Sequence, residues 1–144
     1  MTKEKITYTD YDGNVRTETC YFNLNEAELT EMQFEKQGGL KSWLEKISEE
    51  QDSVEIMKMF KTIILRSYGI KSDDGRRLIK SDEISLAFSQ TEAYNQLFIK
   101  LISGGDVAMI NFIKAILPES FRGATPVKAV EPQVVDIAKK PTEQ

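Results

Sequence analysis

The chain of 144 residues contains no histidine. The commonest general base near neutral pH, and the commonest zinc ligand, are therefore missing. Cysteine occurs once, at Cys20, which excludes an internal disulfide and fits a reducing compartment. With no histidine to activate it, Cys20 reads as a small buried hydrophobe on the strand face that also carries Phe22. Glycine-rich phosphate loops are absent: Gly38-Gly39 and Gly104-Gly105 lack the surrounding pattern and read as helix breaks. Hydrophobic runs are short, and a stretch such as Thr62-Ile63-Ile64-Leu65 falls far below a bilayer span. The N-terminus is polar, without the apolar core or cleavage site of a signal peptide, so the product is expected to stay in the cytoplasm where it is made.

An excess of positive charge is lacking too. The formal net charge is -4 and the pI about 5.0, without the dense basic footprint of non-specific nucleic-acid binding. Arg76 and Arg77, with Lys71 and Lys80, make one basic cluster that reads as a solvated loop. Asp10, Asp12 and Asn14 fall at i, i+2 and i+4, but Gly13 is misplaced for a calcium loop and no glutamate occupies the bidentate position. Asp73-Asp74 and Asp82-Glu83 are too loosely spaced for a paired-carboxylate site and read as turn residues. The residues supply no catalytic group, no cofactor site and no metal site, which points away from an enzyme.

Proline is the last scarce residue, and its placement divides the chain. All four prolines lie at Pro118 or beyond, at Pro126, Pro132 and Pro141. The alternating run from Lys5 to Tyr11, the Asp12-Gly13-Asn14 turn and the run from Val15 to Phe22 predict a β-hairpin. Ile6 and Tyr8 share one side and Thr7 and Thr9 the other, and both faces read as semi-polar. Two strands are marginal alone, so the hairpin must pack on helices or pair through its edges. Asn25 with Glu28 predicts a capping box, and Leu24 with Leu29 a hydrophobic staple, at the start of a helix over about Glu26–Lys36. A second helix is expected over Leu40–Glu50, with Leu40, Trp43, Leu44 and Ile47 as its apolar stripe.

Asp52 and Glu55 predict the cap of a third helix, Ser53–Tyr68. Its main face carries Ile56, Met57, Phe60, Ile63 and Ile64, widened by Val54, Met59 and Leu65, and Gly69 is expected to end it. Ile70–Lys80 reads as a loop turning at Asp73-Asp74-Gly75. Ser81 or Asp82 is expected to cap a short helix through Phe88. Ser89 with Glu92 reads as the cap of the next helix, which carries Tyr94, Leu97, Phe98 and Leu101. Asp106 starts the last helix, with Val107, Ile110, Ile113 and Leu117 on one side. The expected fold is mainly α: an N-terminal β-hairpin (5–22) packed on a helical body (25–118) of about five helices. Residues 1–118 form the domain, and 119–144 a Pro-containing tail, flexible in isolation, that a partner can order as a strand or strap.

Tyr8-Thr9-Asp10-Tyr11-Asp12-Gly13-Asn14, Thr17-Glu18-Thr19 and Tyr21-Phe22-Asn23-Leu24 resemble the opening of tail assembly chaperones of long-tailed siphophages and related prophages. The likeness continues at Glu28-Leu29, Gly38-Gly39-Leu40, Leu65 to Ser72, Asp74-Gly75-Arg76 and Ile79-Lys80-Ser81. It closes at Phe88 to Tyr94 and Asn111-Phe112-Ile113, spanning roughly residues 5 to 118. The resemblance implies a non-enzymatic chaperone that coats the tape measure protein and keeps it soluble until tail tube protein polymerises around it. It also implies work in the host bacterial cytoplasm, absence from the mature virion, and in many phages a frameshifted longer form that recruits tube subunits. It supplies no catalytic residues. The alternatives are a structural tail or head–tail connector component of the virion, or a small regulatory binding protein.

A coat on a helical client needs an apolar groove with a solvated outside. The candidate client contacts are Trp43, Met57, Phe60, Tyr94, Phe98 and Phe112. Self-association into a homo-oligomer is expected, because one copy covers little of a very long partner. The tail, through Val127, Val130, Val134, Val135 and Ile137, and the hairpin edges are its candidate surfaces. Neither nucleic acid nor membrane is expected among the partners.

Overall fold

The computed structural model of the chain describes residues 1–35, Glu45 and residues 53–122. Strands β1 (Thr2–Thr9) and β2 (Val15–Phe22) pair antiparallel, with Tyr8 opposite Arg16 and Thr2 opposite Phe22. The turn between them is held by one carboxylate. Asp10 accepts the backbone N–H of Asp12 and of Asn14, each at 2.9 Å, and the Nε–H of Arg16 at 2.6 Å. Alternation then sorts the side chains. Ile6, Tyr8, Cys20 and Phe22 are buried on one face, while the Thr7 and Thr17 hydroxyls pair at 2.9 Å on the exposed face. The two faces are thus unlike: the expectation of two semi-polar faces fails where helices cover one of them.

The chain turns from β2 into α1 (Glu26–Glu35) through the expected capping box. The Glu28 backbone N–H donates to Asn25 Oδ1 at 2.8 Å, and the Asn25 N–H donates to Glu28 Oε1 at 2.9 Å. Leu24 and Leu29, the staple pair, are both buried in the core. The expected second helix with Trp43, and the Asp52 cap, lie outside the described residues.

Helix α2 (Ser53–Ser67) buries Met59, Phe60, Ile63 and Ile64. Two of its expected core positions differ: Val54 and Met57 lie on the exposed flank, because the main face follows 56, 59, 60, 63 and 64. Its end differs as well. The helix stops at Ser67 without Gly69 as its cap, and Tyr68 begins strand β3 (Tyr68–Lys71). Tyr68 pairs with Phe22 and Gly69 with Tyr21, and the Asn23 N–H donates to the Ser67 carbonyl at 2.8 Å.

Strand β4 (Leu78–Ile79) returns along β3, with Ile70 opposite Ile79. The region expected to be a loop is therefore a second hairpin, turned by Ser72 and Asp74. Ser72 Oγ donates to Asp74 Oδ1 at 2.8 Å and accepts the Arg77 N–H at 3.0 Å. Gly69 is required by close approach: a Cβ there would stand 2.5 Å from Leu78 Cγ and 3.2 Å from the Ile79 carbonyl oxygen. The result is a four-stranded antiparallel sheet in the order β1-β2-β3-β4, in place of the single hairpin expected. A two-residue strand whose partner in turn depends on β2 leaves too little local periodicity to be read.

Helix α3 (Asp82–Ser89) is capped by Ser81, whose hydroxyl accepts the Ile84 N–H at 3.0 Å. The cap of α4 (Glu92–Ser103) is Thr91, which accepts the Tyr94 N–H at 3.1 Å; Ser89, the expected cap, instead donates to the Leu86 carbonyl. Gly105, at φ +77°, reverses the chain into α5 (Gly105–Ile116), a left-handed conformation that a side chain would disfavour. Helix α5 buries Met109, Ile110, Phe112, Ile113 and Ile116, whereas Val107, expected on the core side, is exposed. A last turn, α6 (Glu119–Arg122), falls where the tail was expected to begin. There Phe121 packs on the core and Ser120 Oγ donates to Glu26.

Phe22 binds these layers together. Its ring lies 5.4 Å from Phe112, 5.6 Å from Tyr68 and 5.9 Å from Phe88, centroid to centroid, and Tyr68 stacks on Phe88 at 3.9 Å. Aromatic pairs at such spacings add about 0.5–1.5 kcal/mol each beyond their burial. Among the described residues the architecture is six helices with one four-stranded sheet.

Candidate partner-binding surfaces

Concave surfaces among the described residues include two that flank the core. The larger is a groove of about 510 Å³ between α2 and α3, lined by Lys61, Leu65, Ser85 and Leu86 among others. Across it the Ser85 hydroxyl of α3 donates to the Leu65 carbonyl of α2 at 2.9 Å. Leu86 is 58% exposed at its rim. Along α2 the apolar side chains Val54, Met57 and Leu65 share a flank with Lys61, at spacings that keep them on one side of the helix. Met57 is 38% exposed. One end of the groove is closed by Lys80, which lies 2.5 Å from the Asn23 carbonyl oxygen and 2.7 Å from Glu28 Oε2. That contact removes Lys80 from the basic cluster. Arg76 and Arg77 remain exposed on their turn, and Lys71 Nζ lies 5.7 Å from the centroid of the Tyr21 ring.

The second surface is a cleft of about 330 Å³ between β1 and α4, lined by Glu4 to Thr7 on the strand and by Gln96, Leu97 and Lys100 on the helix. Its ends are bridged by Lys100 Nζ to Glu4 Oε1 at 3.7 Å and by the Tyr11 hydroxyl, which donates to Glu92 at 3.1 Å.

Titratable groups in the core are held uncharged. Burial pushes the Cys20 thiol up to about 11, with the charges of Glu18 and Glu4 acting in the same direction. Burial likewise raises Tyr68 to about 12. Neither group is poised as a nucleophile near neutral pH. Among the described residues no three acidic or cysteine side chains come together to hold a metal ion, and no helix is long and apolar enough to cross a membrane.

The candidate contact residues are distributed unevenly. Phe60 and Phe112 are core, with their rings 6.1 Å apart. Tyr94 and Phe98 are half-buried and stacked at 5.6 Å, and Phe98 lies 6.4 Å from Phe60. Met57 alone of the described candidates is exposed and beside the groove. Trp43, and the tail residues Val127, Val130, Val134, Val135 and Ile137, lie outside the described residues. Sequence spacing does not single out the groove residues Leu65 and Leu86 as contacts, although Leu86 falls off the buried stripe of α3.

Both surfaces mix a few apolar side chains with charged and polar ones, and the class they define is a protein-binding module. A family model described as phage tail assembly chaperone matches residues 1–143. The chain belongs to that family, and its role is that of a non-enzymatic chaperone in viral tail assembly. Neither a search of curated proteins nor a search of solved structures gave a match.

Proposed function

We propose that the chain coats the tape measure protein in the host bacterial cytoplasm and keeps it soluble until tail tube protein polymerises around it, leaving the mature virion without it. Membership of the tail assembly chaperone family over residues 1–143 carries this reading. The α2–α3 groove supports it: Leu65 and Leu86 offer apolar contacts to the apolar face of a client helix, Lys61 stays at the polar border, and exposed Met57 extends the same flank one turn before Lys61. Tyr94 and Phe98 join the contact from their half-buried positions, and Phe60 and Phe112 hold the groove's walls in place from the core. Trp43 is a further client contact. Copies associate along the client through Val127, Val130, Val134, Val135 and Ile137. A frameshifted longer form recruits tube subunits.

The test is co-expression with the tape measure protein, followed by measurement of the soluble client fraction and of co-purification. The client is expected in the soluble fraction only with the chaperone, and Leu86→Asp with Met57→Asp is expected to abolish capture while the chaperone stays folded. Stoichiometric presence of the chain in purified virions would overturn the proposal and favour a structural tail component.

A further inference from the structure

The outer edge of β1 has the geometry of a strand acceptor. In the β1–β2 turn the Asp10 N–H donates to the Asn14 carbonyl at 2.8 Å. Counting back by two from that pair along the antiparallel register, Tyr8, Ile6, Glu4 and Thr2 direct their N–H and C=O groups toward β2. The backbone groups of Lys3, Lys5, Thr7 and Thr9 therefore point the opposite way. The 2.9 Å contact between the Thr7 and Thr17 hydroxyls agrees, because side chains approach most closely in the pairs that do not exchange backbone bonds. No strand of the described residues lies beyond β1. What lies there is the cleft against α4, lined on the helix side by Gln96, Leu97 and Lys100.

A strand edge with no partner strand among the described residues, set beside a cleft, accepts an extended segment: main-chain hydrogen bonds give the affinity, and alternate side chains enter the cleft. We propose that the occupant is the run Gln133–Lys140 of a second copy of this chain. This inference rests on the self-association proposed above and assigns its acceptor. Three features select the occupant. Pro132 and Pro141 bracket the run, and neither supplies an N–H, so a ladder begins and ends between them. Its β-branched residues Val135 and Ile137 alternate on one side, which would face the cleft at Ile6 and the aliphatic stem of Lys100. Asp136 falls on the other side, beside Lys3 and Lys5 of the exposed face, as a cross-strand pair of opposite charge. The sequence leaves the described structure after α6, where Ser120 bonds Glu26, at the end of the sheet where Thr2 meets Phe22. Donation from each copy to the next is head-to-tail, the interface type that builds rings or open arrays.

Light scattering over a concentration series, without client, compares the full chain with a chain ending at Arg122 and with Lys5→Pro. Proline at position 5 removes an outward N–H and leaves the bonds to β2 in place. The full chain is expected to grow in mass with concentration, and both variants are expected to remain at monomer mass. A mixture of Thr7→Cys and Val135→Cys chains, treated with a short bis-maleimide, is expected to give an interchain product joining the two, since buried Cys20 stays unreactive. The inference is overturned by a full chain that is monomeric at every concentration, by equal association of full-length and shortened chains, or by a cross-link confined within one chain of the Thr7→Cys, Val135→Cys double variant. Client solubility in co-expression is read separately. Failure of the acceptor with client capture intact therefore refutes this inference and not the chaperone role.

Discussion

Lys80 at the end of β4 bonds Glu28 in the first turn of α1, Nζ to Oε2 at 2.7 Å, across 52 positions of sequence. The same glutamate accepts the Asn25 N–H through its other oxygen, so the helix cap and the second hairpin share one carboxylate. Both side chains are largely screened, at 18% and 29% exposure, which places the pair between a surface ion pair and a buried one.

Lys80→Met is therefore expected to destabilise the fold by about 1–3 kcal/mol, because it strands the Asn23 carbonyl and one carboxylate oxygen. Urea unfolding of Lys80→Met, Glu28→Gln and the double variant measures this, and the double variant is expected to lose less than the sum of the two single losses. A coupling indistinguishable from zero would show that the contact contributes nothing to stability.

Gly69 makes a sharper expectation, because space and not conformation is the constraint. Gly69→Ala would drive Cβ into Leu78, and overpacking of this kind costs about 1–3 kcal/mol against the gain of about 0.5–1 kcal/mol that alanine usually brings to a strand. Thermal unfolding should show a lowered midpoint for Gly69→Ala, partly restored by adding Leu78→Ala. A midpoint at or above that of the parent chain would mean that β4 shifts freely on β3.

The parts of this fold that can be read along the chain are those set by neighbours in sequence. The Asp10–Asn14 turn, the Asn25–Glu28 box and the stripes of α4 and α5 depend on residues within a turn or two of one another. The pairing of Phe22 with Tyr68 does not: it joins strands separated by two helical stretches, and Tyr68-Gly69-Ile70 carries no pattern long enough to announce it. The groove follows the same logic. Ile64 and Leu65 are neighbours of one chemical type that point about 100° apart on the helix, and the packing of α3 beside α2 makes the one core and the other a groove wall. Met57 was legible as apolar, but its exposure depends on which helices cover α2.

Acid should loosen the first turn in a defined window. The Arg16 guanidinium, followed by the backbone N–H of Asn14, holds the Asp10 carboxyl below its ordinary 3.8. A depressed carboxyl favours the folded turn above that ordinary value, and the contribution disappears as pH falls through the lowered folded one. Carbon-13 NMR titration of the Asp10 carboxyl should give a midpoint below 3.8, and Arg16→Gln should raise it. A midpoint unchanged by that substitution would assign the shift to the backbone donors alone.

Phe60 and Met57, three residues apart on α2, should separate folding from capture. Phe60 is fully buried between the rings of Phe98 and Phe112, so Phe60→Ala is expected to cost about 3–5 kcal/mol and to lose client binding through loss of the fold. Met57 lies on the exposed flank beside the groove, so Met57→Ala should change stability by about 0.5 kcal/mol or less, as surface positions do. If the groove holds the client helix, that small change in stability accompanies a clear loss of co-purified tape measure protein, because an apolar anchor at a contact is worth more than at a wet surface. Urea unfolding and co-expression capture, measured on the same preparations, supply both axes. Met57→Ala that folds and captures as well as the parent chain would move the client site off α2, leaving the half-buried pair Tyr94 and Phe98 as the next contacts to test.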